Sequence, residues 1–174
     1  MALPWQLHQI PDGDAGVEAT VRRMQSIYRD ALRDPRIVQF AQRLVGLDQA
    51  DGQAAQVQAV AAFVRARWRF VGDSLGFEQL KTPDRLLSES ESYGKLQGDC
   101  DDATLLLMTL LGAIGIQSRI VVVQRDPRSP SFDHVYLEAW DGRRWVALDG
   151  VAKGRPLYYR PAGLREKIYP NWPS

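Results

Sequence analysis

The sequence predicts one α+β domain, in which helices come first and a long apolar helix then packs on an antiparallel sheet of three or more strands. Three observations carry this expectation. Apolar residues recur at helical spacing to about residue 68, a nearly unbroken apolar run follows at Ala103–Ile116, and beyond it the period drops to two. At 174 residues the chain suits a single domain with a sizeable core.

In chain order, "DAGVEATVRRMQSIYRDALRD" sets Val17, Val21, Met24, Ile27, Tyr28, Ala31 and Leu32 on one helical face. Pro35 restarts the chain, and "PRIVQFAQRLVG" gives a second helix ended by Gly46. A third, "GQAAQVQAVAAFVRARWRFV", puts Val57, Val60, Ala61, Val64 and Trp68 on one side. "GDSLGFEQL" reads as a loop, and "KTPDRLLSE" as a short helix with Thr82 as N-cap and Pro83 at its first position. After the apolar helix, "SRIVVVQRD", "DHVYLEAW" and "RRWVALDG" read as three strands, joined by "PRSPSF" and by "DG". From Val151 onward Pro, Gly, Tyr and Trp follow no period. The expected organisation is a single domain, 1–174, with N-terminal helices over about 14–68, a core over about 80–150 and an irregular tail, 151–174, lying over it.

Net charge is +1 with both signs mixed along the chain, so neither nucleic acid nor an anionic membrane surface is an expected partner. Lys153, Arg155, Arg160, Arg165 and Lys167 read as a solvated tail. One cysteine forms no intramolecular disulfide, and one thiol with two imidazoles is too few for structural zinc; no cofactor is expected. The N-terminus lacks a basic start followed by an apolar stretch. The 103–116 run is too short to span a bilayer, so a cytoplasmic location is expected.

The chemistry concentrates in "QGDCDDATLLLMTLLGAIG". Asp99 suits the N-cap and Asp102 a shortened capping box, which puts Cys100 at the first helical position, where the macrodipole favours a thiolate. Gly115 suits a left-handed stop, with Ile116 folding back towards Leu111. A lone cysteine is ordinarily a small buried hydrophobe, but three carboxylates are poor surroundings for that role. Downstream, a two-residue Asp141–Gly142 turn would set Trp140 opposite Arg143, Leu137 opposite Val146, Val135 opposite Leu148 and His134 opposite Asp149. A four-residue loop would instead place Asp149 opposite Tyr136. With His8 in an irregular N-terminal stretch, His134 is the well-placed imidazole. A thiol, an imidazole base and a carboxylate that orients it are the set that thiol catalysis needs.

"GDCDDATLLLMTLLGAIGIQSRIVVV" followed by "DHVYLEAWDGRRWVALDG" resembles the core of the transglutaminase-like superfamily, over about residues 60–150. Its relatives include papain-like cysteine proteases and small bacterial and prophage members. The resemblance implies a papain/transglutaminase-like fold, with Cys100 as nucleophile, His134 as base and Asp149 as orienter. It implies a cysteine-dependent amide or peptide hydrolase or acyltransferase working through a thioester on a protein or peptide substrate. Hydrolysis is favoured over transamidation because nothing marks a site for a second amine. Family members place a glutamine or an aromatic donor upstream of the nucleophile, which makes Gln97, Tyr93 and Trp68 the oxyanion candidates. In some members acidic residues around the cysteine bind calcium. Asp99, Asp101 and Asp102 are too few oxygens for the roughly six to eight that ion takes, and capping accounts for them better. The alternative reading is a non-catalytic module that keeps the fold, with phage structural proteins as partners and the phage particle as its location. Tyr136, Trp140, Trp145, Tyr158 and Tyr159 read as packing rather than as a substrate groove.

Overall fold

The computed structural model describes residues 5–8, 11–47, 49–72 and 78–171. In chain order its elements are β1 (Trp5–His8), α1 (Asp14–Ala31), α2 (Pro35–Leu47), α3 (Gln53–Arg67), β2 (Trp68–Phe70), β3 (Glu78–Lys81), α4 (Pro83–Tyr93), β4 (Leu96–Gly98), α5 (Cys100–Ala113), β5 (Ser118–Gln124), β6 (His134–Trp140), β7 (Trp145–Leu148) and β8 (Arg165–Pro170).

A helix that is apolar on every side has to be covered on every side. Residues 102–111 of α5 are all buried, and α1, α2, α3, α4 and the strands β3 to β6 all touch it. Its far end stops as the sequence predicts. Gly115 takes φ 79°, and the Ile116 N–H donates to the Leu111 carbonyl at 3.0 Å. The apolar faces read from the first three helices are the ones that pack. Val21, Met24, Ile27 and Tyr28 of α1, and Val57, Val60, Ala61 and Val64 of α3, are buried in one cluster with α5.

The main sheet is antiparallel in the order β7-β6-β5-β8. Val135, Leu137 and Ala139 face α5, while Val121, Val123, Tyr136 and Ala147 form a smaller cluster on the other face. Among the described residues, no helix is long and apolar enough to cross a membrane.

The structure departs from the sequence reading in four places. The hairpin pairs Trp140 with Trp145 and Leu137 with Leu148, the register of the four-residue loop and two residues from that of the two-residue turn. Asp141 takes itself out of the turn centre. Its N–H bonds the Arg144 carbonyl, and its carboxylate accepts the N–H groups of Arg143 and Arg144. The turn therefore centres on Gly142 and Arg143, with φ 98° at the glycine.

The expected tail is not irregular throughout, because β8 joins the edge of the sheet beside β5. Its alternation escapes a hydrophobicity reading because an edge strand carries charge. Arg165 pairs with Asp14 at 2.7 Å, Lys167 pairs with Glu18, and Arg160 bridges Glu138 at 2.5 Å and Glu166 at 2.8 Å. Those basic residues are paired rather than simply solvated.

Trp68 ends the third helix and opens β2, which runs parallel to β4. Residues 5–8, expected to be irregular, pair with β3, which itself begins inside the stretch 72–80 expected to be a loop. Pairings of three or four residues are too short to show a period of two.

Gly98 ends β4 just before α5, where the fold leaves no room for a side chain. A Cβ there would lie 2.2 Å from an Asp102 carboxylate oxygen. Gly98→Ala should therefore cost about 1–3 kcal/mol by overpacking. Urea unfolding checks this, and an unchanged midpoint would show that the carboxylate can move aside.

Candidate active site

The start of α5 is built by its own aspartates. The Asp99 carboxylate accepts the N–H of Asp101 at 3.0 Å and that of Asp102 at 3.4 Å, which makes it the N-cap and leaves Cys100 at the first helical position. Asp102, 1% exposed, reaches outward and accepts the Lys81 N–H at 2.7 Å. The Lys81 ammonium donates to the Gln97 carbonyl at 2.6 Å and pairs with Glu89 at 3.3 Å. The helix start is thereby tied to β3, α4 and β4 at once.

His134 opens β6. Its Nε2 meets the Asp149 Oδ2 at 2.8 Å, with both side chains nearly fully buried. The other Asp149 oxygen accepts the Val151 N–H at 3.1 Å, so both oxygens hold the carboxylate in one orientation. This pair forms despite the shifted register. In the observed pairing Asp149 falls opposite Tyr136, diagonal to His134, and a slip of two residues keeps every side chain on its own face. With Nε2 directed at a carboxylate, that nitrogen carries the proton and Nδ1 is left as the acceptor.

Cys100 and His134 open onto one cavity of about 470 Å³. The Thr104 hydroxyl donates to the Val135 carbonyl at 3.4 Å, linking α5 to β6 beside them. Burial raises the Cys100 thiol well above its ordinary value, and Asp101 and Asp99 raise it further. The backbone N–H groups of Val135 and of Cys100 itself pull the other way and do not prevail. The sulfur lies 3.8 Å from an Asp101 carboxylate oxygen as a hydrogen-bond donor, surroundings that favour the thiol over the thiolate.

The cavity's far wall is α1, with Val17, Val21 and Met24 facing the thiol's side of the domain. The sequence reading took α1 only as packing. None of the three oxyanion candidates lines this cavity. Trp68 is withdrawn from that role, because it is buried and its indole N–H already donates to the Gly98 carbonyl at 3.2 Å. Tyr93 is 73% exposed at the end of α4. Gln97 is half-buried in β4, three residues before Cys100. Among the described residues, no three of His, Cys, Asp and Glu are grouped to hold a metal ion. Asp99 caps the helix and Asp102 holds β3.

A sequence model of the family described as "Transglutaminase-like superfamily" matches residues 38–150. No curated protein matches the chain. Among solved structures, one described as "a Putative Cysteine Protease from Cytophaga hutchinsonii" superposes with a TM-score of 0.51 at 17% identity, over 67% of this chain and 37% of that one. Another, described as "a Putative Protease from Parabacteroides distasonis", gives 0.58 at 17% identity, over 85% of this chain and 28% of that one. The chain thus spans less than two fifths of the length of either protein. At this identity the likeness shows the fold.

The electrostatics predict the effect of Asp101→Asn. Removing a negative charge beside the sulfur lowers the thiol's proton affinity, and at pH 7, below the raised value, a lower affinity means more thiolate. Iodoacetamide should alkylate Cys100 several-fold faster in the variant. A slower or equal rate would show that Asp101 does not hold the thiol in its protonated form.

Proposed function

The chain belongs to the transglutaminase-like superfamily, and from that premise we propose that it is a cysteine-dependent hydrolase of peptide or protein amides, with Cys100, His134 and Asp149 as its triad. The observation that carries the reading is that His134, held by the buried Asp149, lines the same cavity as the chain's one thiol.

Because the resting sulfur is a thiol, the first step is general-base attack rather than reaction of a standing thiolate. The Cys100 proton passes to Nδ1 of His134 as the sulfur bonds to the amide carbonyl carbon. Asp149, at Nε2, stabilises the imidazolium so formed and fixes its tautomer. The carbonyl oxygen becomes an oxyanion beside the helix start. The cap consumes the N–H groups of Asp101 and Asp102, while the Cys100 N–H, first in the helix, has no intrahelical acceptor and is the backbone donor for it. Collapse expels the amine, which takes the proton from His134 and leaves a thioester on Cys100. Water, deprotonated by His134, then adds to the thioester. The acid departs and the proton returns to sulfur.

The test is turnover of unfolded protein or peptide substrates, read by mass spectrometry as new termini. Cys100→Ala and His134→Ala should abolish it, and Asp149→Asn should lower kcat by about 10²-fold or more. A fluorescent primary amine present during turnover should remain largely unincorporated, because water resolves the thioester. Stoichiometric incorporation would make transamidation the reaction. No turnover, together with alkylation of Cys100 indifferent to His134→Ala, would leave the non-catalytic module as the reading.

A further inference from the structure

We propose that α1 forms part of the substrate site, and that the cavity beside Cys100 takes a cationic side chain, that of a lysine or arginine in a peptide, with Thr20 as its hydrogen-bond partner. This rests on the reading of Cys100 as the nucleophile.

Two independent observations carry it. The first is Thr20. It lies three residues after Val17 and four before Met24, so it is a polar residue on the apolar stripe of α1. It is 7% exposed and lines the cavity. A threonine inside a helix commonly bonds back to the preceding turn, as Thr109 does to the Leu105 carbonyl at 2.8 Å. The Thr20 hydroxyl makes no such bond, nor any other among the described residues. A nearly buried threonine that lines a cavity with no protein partner for its hydroxyl suits a site where a ligand supplies that bond.

The second is charge. Asp12, Asp99, Asp101 and Asp133 all line the cavity, and among the described residues no lysine or arginine does. Asp133 pairs with Arg125 at 3.2 Å, and Arg165, stacked 4.3 Å from the centre of the lining Phe132 ring, pairs with Asp14, so the excess negative charge falls to the other carboxylates of the lining. The net field inside is negative, next to low-dielectric walls that focus it. Apolar residues of α1 and a cavity of about 470 Å³ leave room for the methylene stem of a basic side chain, with its charged head among the carboxylates.

Cys100 itself reports the field, independently of turnover. A cationic trimethylammonium methanethiosulfonate and an anionic sulfonate of similar size are reacted with the thiol, and their rate ratio is compared with that of a small free thiol. The ratio should favour the cation by about tenfold at low salt, shrink as salt is added, and fall about threefold or more in Asp12→Asn, an exposed position where folding is not at stake. N-acetylargininamide should protect Cys100. Thr20→Val should raise the half-protecting concentration about tenfold without lowering Tm, and Thr20→Ser should restore it. A ratio equal to that of the free thiol, or no protection by the arginine derivative, overturns the proposal. So does protection that is unchanged in Thr20→Val while its Tm falls, because a purely structural threonine would behave that way. These measurements stand apart from the hydrolase reading, which fails if amide turnover is absent while the cation preference holds.

Discussion

A carboxylate buried at a helix start organises the functional half of this domain. Moving an ionised group out of water is expensive, and the fold tolerates it at Asp102 only because the group is met where it lies. One oxygen accepts the Lys81 N–H, the other packs where a side chain on residue 98 would have to go, and the neighbouring aspartate caps the same turn. The position of Cys100 follows from these contacts. The Trp68 indole and the Val71 N–H both bond the Gly98 carbonyl, so even the third helix and β2 are indexed to this point. Displacing Asp102 would move the thiol before it moved anything in the sheet.

The aspartates that aim the sulfur also hold it neutral. A negative environment resists a second negative charge, and the N-terminal dipole and two N–H groups do not offset burial together with Asp101 and Asp99. This division of labour places the burden of activation on the imidazole. It also fits the orientation of the His134–Asp149 pair, which leaves one nitrogen free to accept a proton at the moment it is released. A thiol held in this way reacts sparingly with chance electrophiles.

Most of this was legible in the sequence where a long periodic signal existed. The apolar stripes of α1 and α3, the continuous burial of α5, its Asp99 cap and its Gly115 stop were read from spacing and from the chemistry of single residues. The His134–Asp149 pair was anticipated from a register that proved wrong by two residues. It survived because pleating repeats every two residues, and an error of one would have put the partners on opposite faces. What escaped was short or charged. The pairings of β1 with β3 and of β2 with β4 contain too few residues to show a period, and β8 hides its alternation under arginine, lysine and glutamate. The competence of Trp68 as a donor could not be read either, because only the folded chain shows that its N–H is already engaged. Thr20 was visible as a polar residue on an apolar stripe, but its significance depends on which cavity that stripe borders.

The cavity wall has its own dependence on chain order. α1 is fastened to β8 by Asp14 with Arg165 and by Glu18 with Lys167, and Gln25 bonds the Pro170 carbonyl, contacts that span some 145 to 151 residues. A contact of that separation forms late, since most of the intervening chain must be ordered before its ends can meet. During synthesis, the segment bearing Cys100 leaves the ribosome well before residue 165 is made. The nascent chain therefore carries its sulfur for a time without the fastening that holds one wall of the cavity. On this topology, that wall of the cavity is secured later than the helix that carries the sulfur.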